Sequence, residues 1–389
     1  MNDDILAGIR VMDFTTIVSG PYCTRMLADL GAEVIKVEPP EGDYIRTQPP
    51  IRDGRSAYFS HLNCGKKSIA VDLKRPGAAD LMRELADRCD VVVENSRPGV
   101  MKRLGLDYAT LAERNPRLIY CSISGFGQSG PWASRSAYAP ILHAASGYDM
   151  VNLSYQDGIE KPLNTGIYVG DVLGGTCAFG AIQAALFKRE RTGRGDYIDL
   201  AMMDAMLGML IFEFQEAQFP IARTARGFPP TRTRDGWVMI AFVKPNNFEA
   251  AARAFGHPEW IDDPRFNTIA ARLRHWDELM AMVGEWAANH TSDECEAILD
   301  EAGVPCSRYY TVREALALPH LAQRGSFETI DDGSGPMRVP NPAFRMNGSA
   351  ARARGGVPAL GADAEEILSS LLDYSPDRIA ELRGRGVIV

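Results

Sequence analysis

The sequence contains no C-x-x-C pair, no two histidines at metal-ligand spacing, no G-x-S-x-G elbow and no excess of positive charge. Each absence removes a class of function. A net charge of −8 speaks against a nucleic-acid partner, which requires a basic face to neutralise phosphates. The seven cysteines (23, 64, 89, 121, 177, 295 and 306) are odd in number and widely spread, the pattern of reduced thiols in a cytoplasmic protein. The six histidines offer no metal site and no Ser/His/Asp arrangement, so no bound metal is expected. The opening "MNDDILAGIR" carries two acids and no apolar core, unlike a secretory leader. The sixteen residues from Val172 to Phe187 lack any charge, yet a membrane span needs ~20. That run is expected to be a buried helix, with no membrane partner.

What is present is an alternation. "RVMDF" (10–14), "EVIKVE" (33–38), "SIAVDL" (68–73), "DVVVEN" (90–95) and "LIYCSIS" (118–124) are short β-branched runs that read as strands. "PYCTRMLADLGA" opens with Pro21 and stops at Gly31, as a helix does. "GAADLMRELADRCD" sets Leu81, Met82, Leu85 and Ala86 on one helical face. Strands separated by helices imply parallel pairing and a doubly wound α/β sheet. "DYIDLAMMDAML" adds another strand and an apolar helix. The proline- and arginine-rich stretch 219–236 reads as a linker, "GWVMIAF" as a strand, and 246–317 as mostly helical. With 389 residues, two domains are expected: a large one over 1–224 completed by a return of 331–389, and a small one over 225–330.

"GFGQSG" (125–130) matches G-x-G-x-x-G after a strand, but Pro131 and Trp132 follow where a helix would have to start. A dinucleotide site is therefore not expected, and the stretch reads as a loop beside a ligand. Positive charge gathers at strand ends: Lys66, Lys67, Lys74 and Arg75, then Arg97, Lys102 and Arg103, with Arg135 further on. Any one of these is ordinary surface charge, but strand ends are where α/β sheets bind ligands. With Asn95 ending an apolar strand, the set suggests a long polyanionic ligand.

Asp171 stands alone at the mouth of the uncharged run, with Gly174 and Gly175 behind it. Two readings stay open. The carboxylate caps the free amides of its helix, or it is a nucleophile kept ionised by the helix dipole. The two glycines each cost about 1 kcal/mol in a helix, and close approach of a ligand to the backbone would offset that.

A series of longer segments carries a resemblance: "VMDFTTIVSGPYCTRMLADLGAEVIKVEPPEGDYIR", "NCGKKSIAVDL", "VVENSRPGVMKRLGLDY", "SGFGQSGP", "GDVLGG", "AALFKRERTGRGDYIDLAMMDA", "AGVPCSR" and "PALG". In order and spacing they resemble the class III CoA-transferases, the superfamily that includes formyl-CoA and carnitine CoA-transferases and α-methylacyl-CoA racemase. The resemblance implies an α/β fold, with a Rossmann-like doubly wound large domain and a smaller α+β domain in an interlocked homodimer. It implies transfer of CoA from an acyl-CoA to a carboxylic acid through an aspartyl anhydride and an aspartyl-CoA thioester, with CoA as substrate and no tightly bound cofactor. The family nucleophile falls on Asp171. CoA contacts fall on Ile17, Val18, Ser19, Glu38, Pro39, Val71, Lys74, Asn95, Met101, Arg103 and Arg135. Backbone amides at Val172 or Gly174 are expected to stabilise an oxyanion. Two departures bear on function. Formyl-CoA transferase has glutamine where Val18 stands, and its glycine-rich loop is absent from "AFVKPNNFEAA", which disfavours the formyl/oxalate pair. The racemase has a catalytic histidine seven positions after its G-P pair; here that position is Tyr138, and His143 lies five residues later. Tyr138 matches the transferases and is expected to hydrogen-bond the substrate carboxyl.

Overall fold

A computed structural model describes residues 4–221, 227–242 and 244–389. Residues 222–226, in the stretch expected as a linker, and Val243, in the segment where a glycine-rich loop is missing, lie outside the described residues. The chain divides into two compact units. The first holds residues 1–153, 159–214 and 320–389; the second holds 154–158 and 215–319. The second unit thus begins its main segment at Gln215 rather than 225 and ends at Pro319 rather than 330.

The first unit is built on six parallel strands: β1 (Arg10–Asp13), β2 (Glu33–Glu38), β3 (Lys67–Ala70), β4 (Val91–Glu94), β5 (Ile119–Ser124) and β6 (Asp196–Ala201). Their order across the sheet is β3-β2-β1-β4-β5-β6, that of a doubly wound sheet. Both faces of the central strands are covered, so their middle residues are mostly apolar. Alternate residues feed opposite cores. Met12, Ile35, Ile69, Val92 and Tyr120 pack on one face against Leu81, Met82 and Leu85 of helix Ala78–Ala86. Val11, Val34, Val91, Val93 and Cys121 pack on the other against Leu27 of helix α1 (Ser19–Asp29) and Ile182 of helix α2 (Val169–Thr192). The chain's C-terminal helices, Ala364–Leu372 and Pro376–Gly384, place Ile367, Leu368, Ile379 and Leu382 in the first of these cores. The tail then bridges Ile388 to Val71 beyond the end of β3.

The uncharged run forms the middle of a 24-residue helix, but not a wholly buried one. By length and composition α2 passes as a candidate membrane span, although its uncharged part alone falls short of that length. One face, with Gly174, Gly175, Ala178 and Ile182, is packed, while Val172 and Phe187 on the other are exposed. Flanking charges at Lys188 and Arg189 continue the helix, because helix propensity does not end with apolarity.

The second unit carries an antiparallel sheet of Thr231–Arg232, Trp237–Ile240 and Cys306–Arg308. Its core joins Val238, Ile240 and Phe242 to Phe248, Trp260, Leu279 and Leu299 from the surrounding helices. All seven cysteines are free, and Cys177 is exposed.

Candidate functional site

The sheet order reverses between β1 and β4, and ligands of such sheets bind at the carboxyl ends of strands flanking that switch point. The loop after β1 is held there under strain. Ile17 sits at φ 70°, a left-handed conformation that a β-branched residue adopts only under constraint. The constraint is visible. Asp43 accepts the Ile17 N–H at 3.3 Å, and Lys36 donates to the Thr15 carbonyl at 2.8 Å. Asn95 brackets Thr16, accepting its N–H and donating to its carbonyl, each at 2.9 Å. The Asn95 amide expected to meet a ligand is therefore engaged in shaping the loop.

Beneath the loop lie two ion pairs with no solvent exposure of either side chain: Lys36 with Asp43 and Lys66 with Asp13, each at 3.0 Å. Lys66 also donates to Pro21 O, Thr24 Oγ1 and Asn63 Oδ1. Burial alone would raise the Asp13 pKa, but Lys66, Lys36 and the hydroxyls of Thr15 and Thr24 bring it down to about 2. Lys66 thus belongs to the framework rather than to a ligand surface. Lys67 is likewise spent, on Glu33 and Glu366, and Arg75 on Asp72.

Asp171 is the third residue of α2, yet it does not cap that helix. The Ala139 amide and the amide and hydroxyl of Ser19 favour its ionised form, and all three residues line one cavity. Burial, without any cation to oppose it, pushes its pKa up to about 6. The helix dipole expected to keep it strongly ionised is outweighed by desolvation. Gly174 and Gly175 also have a reason other than a ligand. A Cβ on Gly175 would lie 2.5 Å from the Ser19 carbonyl oxygen, and one on Gly174 would lie 2.7 Å from Met202 Cγ. Gly175 lets α1 approach α2, which brings Ser19 to Asp171, and Gly174 makes room for Met202. The expected oxyanion donor Val172 is committed as well, its N–H bonding the Tyr168 carbonyl.

Asp171 opens on a cavity of about 900 Å³ lined by Ile17, Val18, Ser19, Asn95, Arg135 and Tyr138, all in the first unit. That volume suits a sizeable ligand. Arg135 lies over the rings of Trp132 (4.4 Å) and Phe126 (5.4 Å). The "GFGQSG" loop that precedes it is pinned by Asp199, which accepts the Gln128 N–H at 3.0 Å; no helix follows at once. Arg97, one of the strand-end cations, also lines this cavity, as do Tyr58 and Tyr168, which were not singled out from the sequence. Tyr58 follows no motif; only folding brings it near Tyr168 and Asp171, where burial and those neighbours push its phenol up to about 12.

A second cavity of about 200 Å³ is lined by Glu38, Pro39, Val71, Lys74 and Met101. Thr16 and Ser96 border both cavities. The Glu38 carboxylate is not available to a ligand. It accepts from Arg46 (2.6 and 2.7 Å), Ser68 Oγ (2.7 Å) and the Asp43 N–H (3.1 Å). Arg103 lines neither cavity; it is exposed on helix Val100–Leu104. No cluster of side chains suited to a metal ion occurs among the described residues.

Residues 6–364 match the model of CoA-transferase family III. The chain belongs to that family. It is an enzyme, a CoA-transferase (EC 2.8.3) acting on acyl-CoA and acids. The chain is 35% identical to the succinyl-CoA–D-citramalate CoA-transferase of Chloroflexus aurantiacus, over 98% of each protein. Human succinyl-CoA:glutarate CoA-transferase is 32% identical, across 98% of this chain and 90% of that protein. Among solved structures, that of Rv3272 from M. tuberculosis superposes with a TM-score of 0.85 at 30% identity, covering 95% of this chain and 100% of that one.

Proposed function

We propose that this CoA-transferase works through Asp171 as a covalent nucleophile. The observation that carries the reading is a half-buried carboxylate on the wall of the large cavity, held by neutral donors and unpaired with any cation among the described residues. Such a carboxylate is still mostly ionised at pH 7.5 and less stabilised than one in a salt bridge, so it is more nucleophilic. An Asp171 oxygen attacks the thioester carbon, and the C–S bond breaks to release CoA thiolate and leave a mixed anhydride. The thiolate attacks the aspartyl carbonyl, and the donor acid departs as its carboxylate, leaving aspartyl-CoA. The acceptor carboxylate attacks that thioester, again expelling thiolate. The thiolate then attacks the acceptor's carbonyl, which forms the new acyl-CoA and restores Asp171. No net proton or electron is consumed, and the protein's task is to exclude water and orient the partners.

Ser19 and the Ala139 amide orient the carboxylate, and Tyr138, whose side chain reaches the same cavity, hydrogen-bonds the substrate carboxyl. Ile17, Val18 and Asn95 shape the path of the pantetheine, and Val71, Lys74 and Met101 meet the nucleotide end in the smaller cavity, with Arg103 outside it. Arg97 and Arg135 at the large cavity suit a second carboxylate on the acyl group. That and the substrates named for the relatives support succinyl-CoA as donor and a dicarboxylic acid as acceptor. The racemase reading is not favoured, because Tyr138 stands where the racemase has its catalytic histidine. The exposed apolar residues Val172, Phe187, Ile211 and Phe212 support an interlocked homodimer, since such a patch calls for a cover. We place the enzyme in the cytoplasm.

The test is direct. After incubation with succinyl-CoA, a hydroxylamine-sensitive adduct is expected on the Asp171 peptide by mass spectrometry. An unmodified peptide, together with an active Asp171→Ala enzyme, removes Asp171 as nucleophile.

A further inference from the structure

The first turn of α2 lacks a cap of its own. Its N-cap residue, Tyr168, makes no side-chain capping bond, and a helix start leaves backbone N–H groups that need acceptors. At Gly170, one residue before the nucleophile, the acceptor is a side chain from elsewhere. His143 Nε2 accepts the Gly170 N–H at 3.2 Å. Because a backbone N–H can only donate, Nε2 is the unprotonated nitrogen and the ring proton sits on Nδ1. The imidazole is 1% exposed and packs against the Tyr148 ring at 5.2 Å. Burial holds its pKa below the usual value; the facing charge, Asp149, opposes this without overturning it.

His143 lies on helix Ala139–Ala145, whose first residue lines the large cavity with Asp171 and favours its ionised form through its amide. Ala139 and His143 are one helical turn apart and so share a face. A single short helix therefore holds the Gly170 amide through an imidazole and borders Asp171, the next residue of α2, through Ala139. We propose that His143 is a positioning residue, a neutral imidazole that caps Gly170 and thereby sets the Asp171 carboxylate against the thioester. This rests on the reading of Asp171 as the nucleophile.

His143→Phe keeps a buried ring and deletes the acceptor. His143→Gln keeps an oxygen near the Nε2 position, whereas His143→Asn offers one only near Nδ1, too short to reach Gly170. The expected result is a rate of Asp171 adduct formation lowered on the order of 10- to 100-fold in His143→Phe and His143→Asn. The KM for succinyl-CoA should change less than twofold, with most of the rate restored in His143→Gln. The groups facing Asp171 are Ser19, Ala139, Tyr58 and Tyr168. Loss of the Ala139 bond disfavours the ionised carboxylate, so the acid limb of kcat/KM should move to higher pH in the slow variants.

An adduct rate and acid limb in His143→Phe equal to those of the wild type overturn the proposal. So does a His143→Gln enzyme as slow as His143→Asn. If His143→Phe fails to fold, the difference between the Gln and Asn variants decides the matter alone. A wild type that forms no adduct refutes the nucleophile itself, whereas an adduct insensitive to His143 refutes only the positioning role.

Discussion

Two aspartates near the same switch point have opposite fates. Asp13 is fully buried at the end of β1, faces Lys66 and Lys36, and its pKa is brought down to about 2. Asp171 is half-buried, has no cation beside it among the described residues, and its pKa is pushed up to about 6. The more deeply buried acid is the stronger one. Burial penalises both charges, and the difference is whether a cation stands opposite. At the rigid loop the carboxylate is paired; at the proposed nucleophile the cation is left out.

The comparison breaks most visibly at Lys66. Lys66→Met leaves the Asp13 carboxylate buried without its partner, and equilibrium urea unfolding should show a loss of about 3–5 kcal/mol. A loss below about 1 kcal/mol would mean that the pair does not hold the loop. At Asp171 the sign reverses. Its folded pKa lies above the value near 4 of an unfolded chain, so the folded state keeps its proton while the unfolded state has released it. Asp171 thus removes stability as pH rises from about 4 to about 6. Asp13, with a depressed pKa, contributes stability that is lost as pH falls from about 4 to about 2. Asp171→Asn should therefore abolish transfer yet stabilise the fold at pH 7.5 by about 1–2 kcal/mol after screening, with no gain at pH 4. Thermal melts at the two pH values check this. The smallest effect is at Ser19. Wild-type kcat/KM should fall below pH 6 as the nucleophile takes up a proton. Ser19→Ala, which removes one donor to the ionised form, should move that limb upward by about half a pH unit.

The parts of the chain that were legible share a property. β2 falls on the expected residues 33–38, and most other strands lie within a residue of their apolar runs, because the middle of a strand covered on both faces is mostly apolar; β3 stops at Ala70 rather than 73. The helix of Ala78–Ala86 buries the residues whose spacing marked it. Asp171 was legible as an isolated acid beside an apolar run. The roles of particular polar groups were not. Lys66 and Glu38 looked available to a ligand, but each is spent on partners distant in sequence, Lys66 on Asp13 and Glu38 on Ser68. Gly174 and Gly175 looked like room for a ligand and are room for Met202 and for α1. His143 looked like a misplaced base and accepts the amide of Gly170, beside Asp171.

By itself the sequence determined the α/β alternation, the family and the isolated acid at a helix mouth, because periodicity and local motif are properties of neighbouring residues. Only the tertiary structure decided which charges are buried pairs, which acid lacks a cation, and which helix grips it. Those are energies of distance and desolvation, and they exist only once remote segments are brought within a few ångströms of one another.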